Sequence, residues 1–184
     1  MSAVQIVNRA IQKLGGKRIT SLADDSTEAR ELNVGYADLR DAELRANRWK
    51  FAIKRTSLAA DSDDPAWGYD YAYSLPSDYL RMLEVQDDHD YRIEAGKILT
   101  DAGAPLYIRY VYRAEDPAQM DPLFRESLSA RIAAEFCEKF TGSNTKIGAM
   151  MDWYKLTLAE ARKINALEDP PEELREDSWI TARQ

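Results

Sequence analysis

The residues best suited to chemistry are few and scattered. The chain has one histidine, His89, and one cysteine, Cys137. Zinc cages need several such ligands, and a Ser-His-Asp triad needs a histidine beside its nucleophile, so both chemistries find little material. Asp87, Asp88, His89 and Asp90 make the one cluster with a metal-site flavour. Consecutive strand residues point to opposite faces, so these four converge only by curling round an ion. A solvated hairpin turn is the more ordinary reading, because Asp is frequent in turns. Asp61, Asp63 and Asp64 resemble part of a calcium loop but lack its glycine and distal glutamate, and read as a turn closed by Pro65.

Other candidates have equally plain alternatives. Cys137 lies between Phe136 and Phe140 with no histidine or group of cations close in sequence, which suits a buried or interface thiol better than a nucleophile. Met150, Met151, Trp153 and Tyr154 suit a ligand pocket or, by default, a core. Two tyrosine sets (Tyr69, Tyr71, Tyr73 and Tyr107, Tyr110, Tyr112) invite base stacking, which needs interleaved cations. Asp70 sits in the first set, and only Arg109 and Arg113 accompany the second. No GxxxxGK[ST] loop or GxGxxG turn cradles phosphate. The expectation is a protein with no catalytic, cofactor or metal site, working by packing against other subunits.

The elements that must position these residues follow from periodicity. Val4, Val7, Ile11 and Leu14 recur at helical spacing after Ser2, and Gly15-Gly16 ends the run. Asp25 and Glu28 have capping-box spacing and open a second helix, Thr27 to Arg48, with Leu32, Tyr36, Leu39 and Ala46 as its apolar face. Its interleaved acids and arginines suit contacts between subunits. From Trp49 the period changes to two. Strands are expected around Phe51–Leu58, Tyr69–Tyr73, Met82–Val85, Tyr91–Glu94, Lys97–Thr100 and Leu106–Arg113, in one small antiparallel sheet, with a helical turn at Ser77–Leu80. From Pro117 helical spacing returns through Phe124, Leu128, Ile132, Phe136 and Phe140 to Gly142. A last helix, capped by Ser143 or Asn144, carries Ile147, Met150, Met151, Tyr154, Leu158 and Ala161. The fold class is thus α+β: an antiparallel bundle of four main helices (about 2–48 and 117–168) with a small antiparallel β insertion (about 49–115). It forms a single domain, 1–169, followed by an extended C-terminal tail, 170–184.

Composition sets the outer limits. With 184 residues, 45% hydrophobic and 31% charged, the chain can bury a core. A net charge of −7 argues against phosphate tracking as the main source of affinity. One cysteine excludes an internal disulfide, the first residues are too polar for a signal peptide, and no stretch approaches a membrane span, so a soluble intracellular product is expected.

Several stretches in consistent order, from about Val4 to Arg183, resemble one family. They are NRAIQKLGGKRITSLADDSTEAR, NRWKFAIKRTSLA, YSLPSDYLRML, LYIRYVYRAEDPAQMDPLF, SLSARIAAEFCEKFTG and a terminal SWITAR. Trp49-Lys50-Phe51-Ala52, Leu75-Pro76-Ser77-Asp78-Tyr79 and Tyr110-Val111-Tyr112-Arg113 are the most distinctive. Together they resemble the bacteriophage head-to-tail adaptors of the tail tubular protein A type. The resemblance implies a structural ring subunit of the virion neck, made in the host cytoplasm. The implied ring has twelve subunits, seated between the portal protein and the tail tube or nozzle protein, with DNA passing transiently and non-specifically through the channel. The resemblance implies neither enzymatic activity nor cofactor. An acidic conduit would release rather than retain exiting DNA. On this reading Trp179, Ile180 and Arg183 of the tail contact the portal, and Asp87, Asp88 and Asp90 contact the tail component. The alternative is a nucleic-acid-binding packaging or regulatory protein. That role needs a basic face, whereas Arg9, Lys13, Lys17, Arg18, Arg40, Arg45 and Arg48 interleave with acids.

Overall fold

The computed structural model describes residues 2–168. The first helix, α1 (Ala3–Leu14), opens on a reciprocal capping box between Ser2 and Gln5 and ends on Gly15 at φ 81°, where a side chain would be strained. Helix α2 (Thr27–Ala46) is capped by Ser26, whose hydroxyl accepts from the Ala29 amide at 3.1 Å. Asp25 is therefore not the cap. It pairs instead with Arg30 at 3.0 Å. The helix stops short of Arg48 because Trp49 turns inward. Its ring is fully buried and its indole N–H donates to the Glu43 carbonyl at 3.0 Å.

A short 3-10 turn, Lys50–Ala52, leads into six strands: β1 (Ile53–Leu58), β2 (Tyr71–Ser74), β3 (Tyr79–Val85), β4 (Arg92–Glu94), β5 (Lys97–Thr100) and β6 (Leu106–Tyr112). They form two antiparallel sheets, ordered β1-β6-β3 and β2-β5-β4, in place of the single sheet expected from alternation. The segment Asp87–Asp90 is consequently no hairpin turn, because β3 and β4 belong to different sheets. Asp87 and Asp88, at φ 62° and 50°, swing the chain out of the first sheet and into the second. The stretch from Ser77 is a turn closed by the Tyr79 amide on the Pro76 carbonyl, and Tyr79 and Leu80 already belong to β3. Of the first tyrosine set only Tyr73 is buried, and Tyr69 lies before the strand.

Helix α3 (Pro122–Glu135) starts at Asp121, whose carboxylate accepts from the Leu123 and Phe124 amides at 2.7 and 3.1 Å. One non-helical residue, Phe136, separates it from α4 (Cys137–Thr141), which Gly142 ends. Ser143 caps α5 (Asn144–Leu167). The molecule is therefore α+β, with five α-helices and two small antiparallel sheets among the described residues. Helix α5 packs chiefly on α3, α1 on α3 and α4, and α2 on α3, β3 and β6. Two cores result. The larger gathers Ile6, Ile11, Leu32, Leu44, Trp49, Phe124, Leu128 and Ile132 from the helices and receives Leu80 and Val111 from the first sheet. The smaller lies between the sheets, where Tyr73 and Ile98 meet Val85, Leu106, Ile108 and Tyr110. Along β6, Leu106, Ile108 and Tyr110 point to the small core, and Val111 points to the large one. Among the described residues no helix is long and apolar enough to cross a membrane.

Candidate interaction surfaces

The expected tail-contact residues sit at the free end of the β region. Asp87, Asp88 and His89 are exposed, and the Asp90 carbonyl accepts from the Thr100 hydroxyl at 2.6 Å, which ties the loop to β5. The loop borders a groove of about 680 Å³ on the outer face of the first sheet, lined by Arg55, Ser57, Glu84, Tyr107 and Arg109 together with Asp87 and Asp88. Arg55 stands directly opposite Arg109 across β1 and β6. Like charges in that relation repel. One is offset by Glu84, which meets Arg109 at 2.7 Å. Tyr107 projects into solvent beside them. The groove is a polar, half-compensated surface suited to recognition by charge. Among the described residues no three His, Cys, Asp or Glu side chains group as metal ligands, so the aspartates around His89 do not converge.

A second exposed feature was not visible in the chain's spacing. Trp67 is 86% exposed on the loop that crosses the outer face of the second sheet. It stands at a cleft of about 360 Å³ bounded by Asp63, Pro65, Glu94, Lys97 and Leu99. The loop is anchored by Asp61, whose carboxylate takes hydrogen bonds from the Ser74 amide and hydroxyl and an ion pair from Lys97 at 2.8 Å. The Lys97 contact, aided by Ser74, outweighs desolvation and holds that carboxyl below its ordinary range. Asp61 is thus a structural anchor. Loop aromatics on a rigid scaffold are common interface anchors, and the Ala66-Trp67-Gly68 triplet in a polar loop was the available signal.

Part of the charged α2 face turns out to be internal: Arg40 and Glu43 are buried, while Arg30, Asp38 and Arg45 remain exposed. Glu43 is fully buried, 0% exposed. Its carboxylate receives Arg131 at 2.6 Å, the Tyr154 hydroxyl at 2.9 Å and Asn47 at 3.2 Å, joining α2, α3 and α5. Burial, then the Glu43 charge, pushes the Tyr154 hydroxyl up to about 12. Arg40 is buried too, bonded to Asp41 at 2.8 Å, and Asp41 also takes Arg113 at 2.7 Å from the end of the β region. Glu43, Arg40 and Asp41 are therefore committed within the subunit and are not free for contacts between subunits. Cys137 is a buried free thiol beside the Thr141 hydroxyl, and Met151, expected in the α5 core stripe, is exposed. Helix α5 instead presents Met151, Leu156, Ile164 and Leu167 outward, Leu156 and Leu167 being about 70% exposed.

Trp179, Ile180 and Arg183 lie outside the described residues. No family model and no curated protein sequence matches the chain.

Proposed function

We propose that this protein is a structural ring subunit of a phage neck, joining the portal to the tail and lining part of the path for ejected DNA. In this reading α1, α2, α3 with α4, and α5 are the four helices of an adaptor bundle, and the strands are its inserted β domain. The observation that carries it, beside the resemblance along the chain, is where the exposed large apolar side chains gather. Among the described residues all but Val34 fall in two places, the exposed sides of α5 and the β region with Trp67, Tyr71, Ile93 and Tyr107. A connector needs distinct contact areas on one body, and large exposed apolar groups mark such areas. Neighbouring subunits pack along α5, the portal receives the C-terminal tail through Trp179, Ile180 and Arg183, and the β loops face the tail.

The test is electron microscopy of the protein mixed with the portal of the same phage. Added ring density on the portal is expected, and its absence refutes the reading. Truncation after Asp169 is expected to abolish portal binding while leaving a folded protein. Salt-dependent binding to plain duplex DNA, without portal binding, would instead favour the packaging or regulatory role.

A further inference from the structure

The basic residues of α2 do not all interleave with acids in space. Arg45 and Arg48, at and just past the end of α2, converge on Arg81 of β3. The Arg45 guanidinium donates to the Leu80 carbonyl, and Arg81 reaches the Ala46 carbonyl at 3.5 Å. Among the described residues these three make no ion pair, whereas Arg40, Arg113 and Arg131 each do. The Nε of Arg81 is buried and has no hydrogen-bond partner there. Burial, and then the charges of Arg48 and Arg45, lower the pKa of Arg81. Helix carbonyls at the α2 end supply partial negative charge, which is little against three guanidiniums.

The end of α5 lies beside this cluster. Asn165 accepts from the Lys50 amide at 2.9 Å and donates to the Arg48 carbonyl at 2.8 Å. The chain therefore leaves its last helix next to Arg48. Its next ten residues are Glu168-Asp-Pro-Pro-Glu-Glu-Leu-Arg-Glu-Asp177, six acids against one arginine. Extended chain advances about 3.3 Å per residue, so the acids after Pro171 are within reach of the cluster without a long excursion. We infer that the acidic segment 168–177 docks on the Arg45–Arg48–Arg81 cluster of its own chain. This contact is independent of portal binding.

The test uses the full chain carrying Ser178→Cys with a nitroxide label and Cys137→Ala, its fold checked by the amide spectrum. In the isotope-labelled protein, amides of residues 45–48 and 79–82 are expected to lose most of their intensity. The loss should vanish at about 1 M salt, where charges are screened beyond about 3 Å. It should vanish also in the variant Glu172→Gln, Glu173→Gln, Glu176→Gln, Asp177→Asn, its fold checked by the same amide spectrum. A mixture of isotope-labelled chains with nitroxide-labelled, isotope-free chains is expected to show no loss. No broadening in the first sample, broadening that survives neutralisation of the acids, or equal broadening in the mixture would each overturn the inference. The last would assign the cluster to a neighbouring copy's tail.

Discussion

The helical and β regions hold themselves together by different means. The helical core closes around large apolar side chains from the helices and one buried carboxylate among the described residues, Glu43, whose partners come from α3, α5 and the end of α2. The β region has a thin core in which two fully buried tyrosines keep their hydroxyls bonded, Tyr73 to the Ala102 carbonyl at 2.7 Å and Tyr110 to Asp78 at 2.9 Å. Its ion pairs, Asp61–Lys97, Asp78–Lys54 and Glu84–Arg109, all lie at the surface, where such pairs contribute little. The difference teaches that stability is concentrated in the helices, while the β region is assembled from small, local contributions. Regions of that kind open first.

The sharpest way to break the contrast is Glu43→Ala. Removing one partner of a buried pair leaves Arg131 and Tyr154 unmatched, and a loss of about 3–5 kcal/mol is expected in urea unfolding followed by tryptophan fluorescence. Ile98→Ala, in the small core, should cost about 2–4 kcal/mol. Its effect should appear in amide exchange of β2, β4 and β5, with helix amides much less altered. Equal acceleration in both regions would mean that the molecule opens as one unit. Tyr73→Phe leaves the Ala102 carbonyl without its donor and should cost about 1–2 kcal/mol, again confined to the sheets.

Asp78 refines the comparison through pH. Burial acts to raise its pKa, but hydrogen bonds from Lys54 and Tyr110 outweigh it and hold the carboxyl below its ordinary value. A lowered folded-state pKa stabilises fully above the unfolded value of about 4 and is lost as pH falls through the folded one. The stability gap between wild type and Asp78→Asn should therefore be constant near neutrality and close below about pH 4. A gap unchanged down to pH 2 would remove Asp78 from the account. Serine at Asp87, Asp88 and Asp90 should cost about 1 kcal/mol, because Asp tolerates the positive φ of the first two better than serine does, and Trp67→Ala has the smallest effect on stability, within about 0.5 kcal/mol. Under the proposed function these same changes weaken tail attachment. Normal tail attachment by both would leave the β loops without that role.

Periodicity made much of this legible in advance. The apolar spacing of α1 and the glycines at 15 and 142 place helix ends within a residue or two, and β5 begins and ends where alternation places it. What stayed hidden depends on contacts distant in sequence. Glu43 is indistinguishable from its exposed neighbours until Arg131 and Tyr154, far along the chain, close over it. Two sheets in place of one follow from pairing β6 with both β1 and β3, which no local pattern announces. The Asp25 and Ser26 caps compete at adjacent positions, and backbone geometry decides between them. The same limit hid the arginine cluster, because Arg81 lies on a strand far from Arg45 and Arg48 in sequence.

Asn165 has a mechanical consequence. Its amide bridges the backbone on both sides of Trp49, within one helical turn of Glu168. A pull on the chain beyond α5 therefore loads that pair of hydrogen bonds before it can unwind the helix on the far side of Asn165. The tension arrives at the joint between α2 and β1, where Trp49 plugs the helical core. Force applied at the chain's end is thus delivered to the boundary between the two regions.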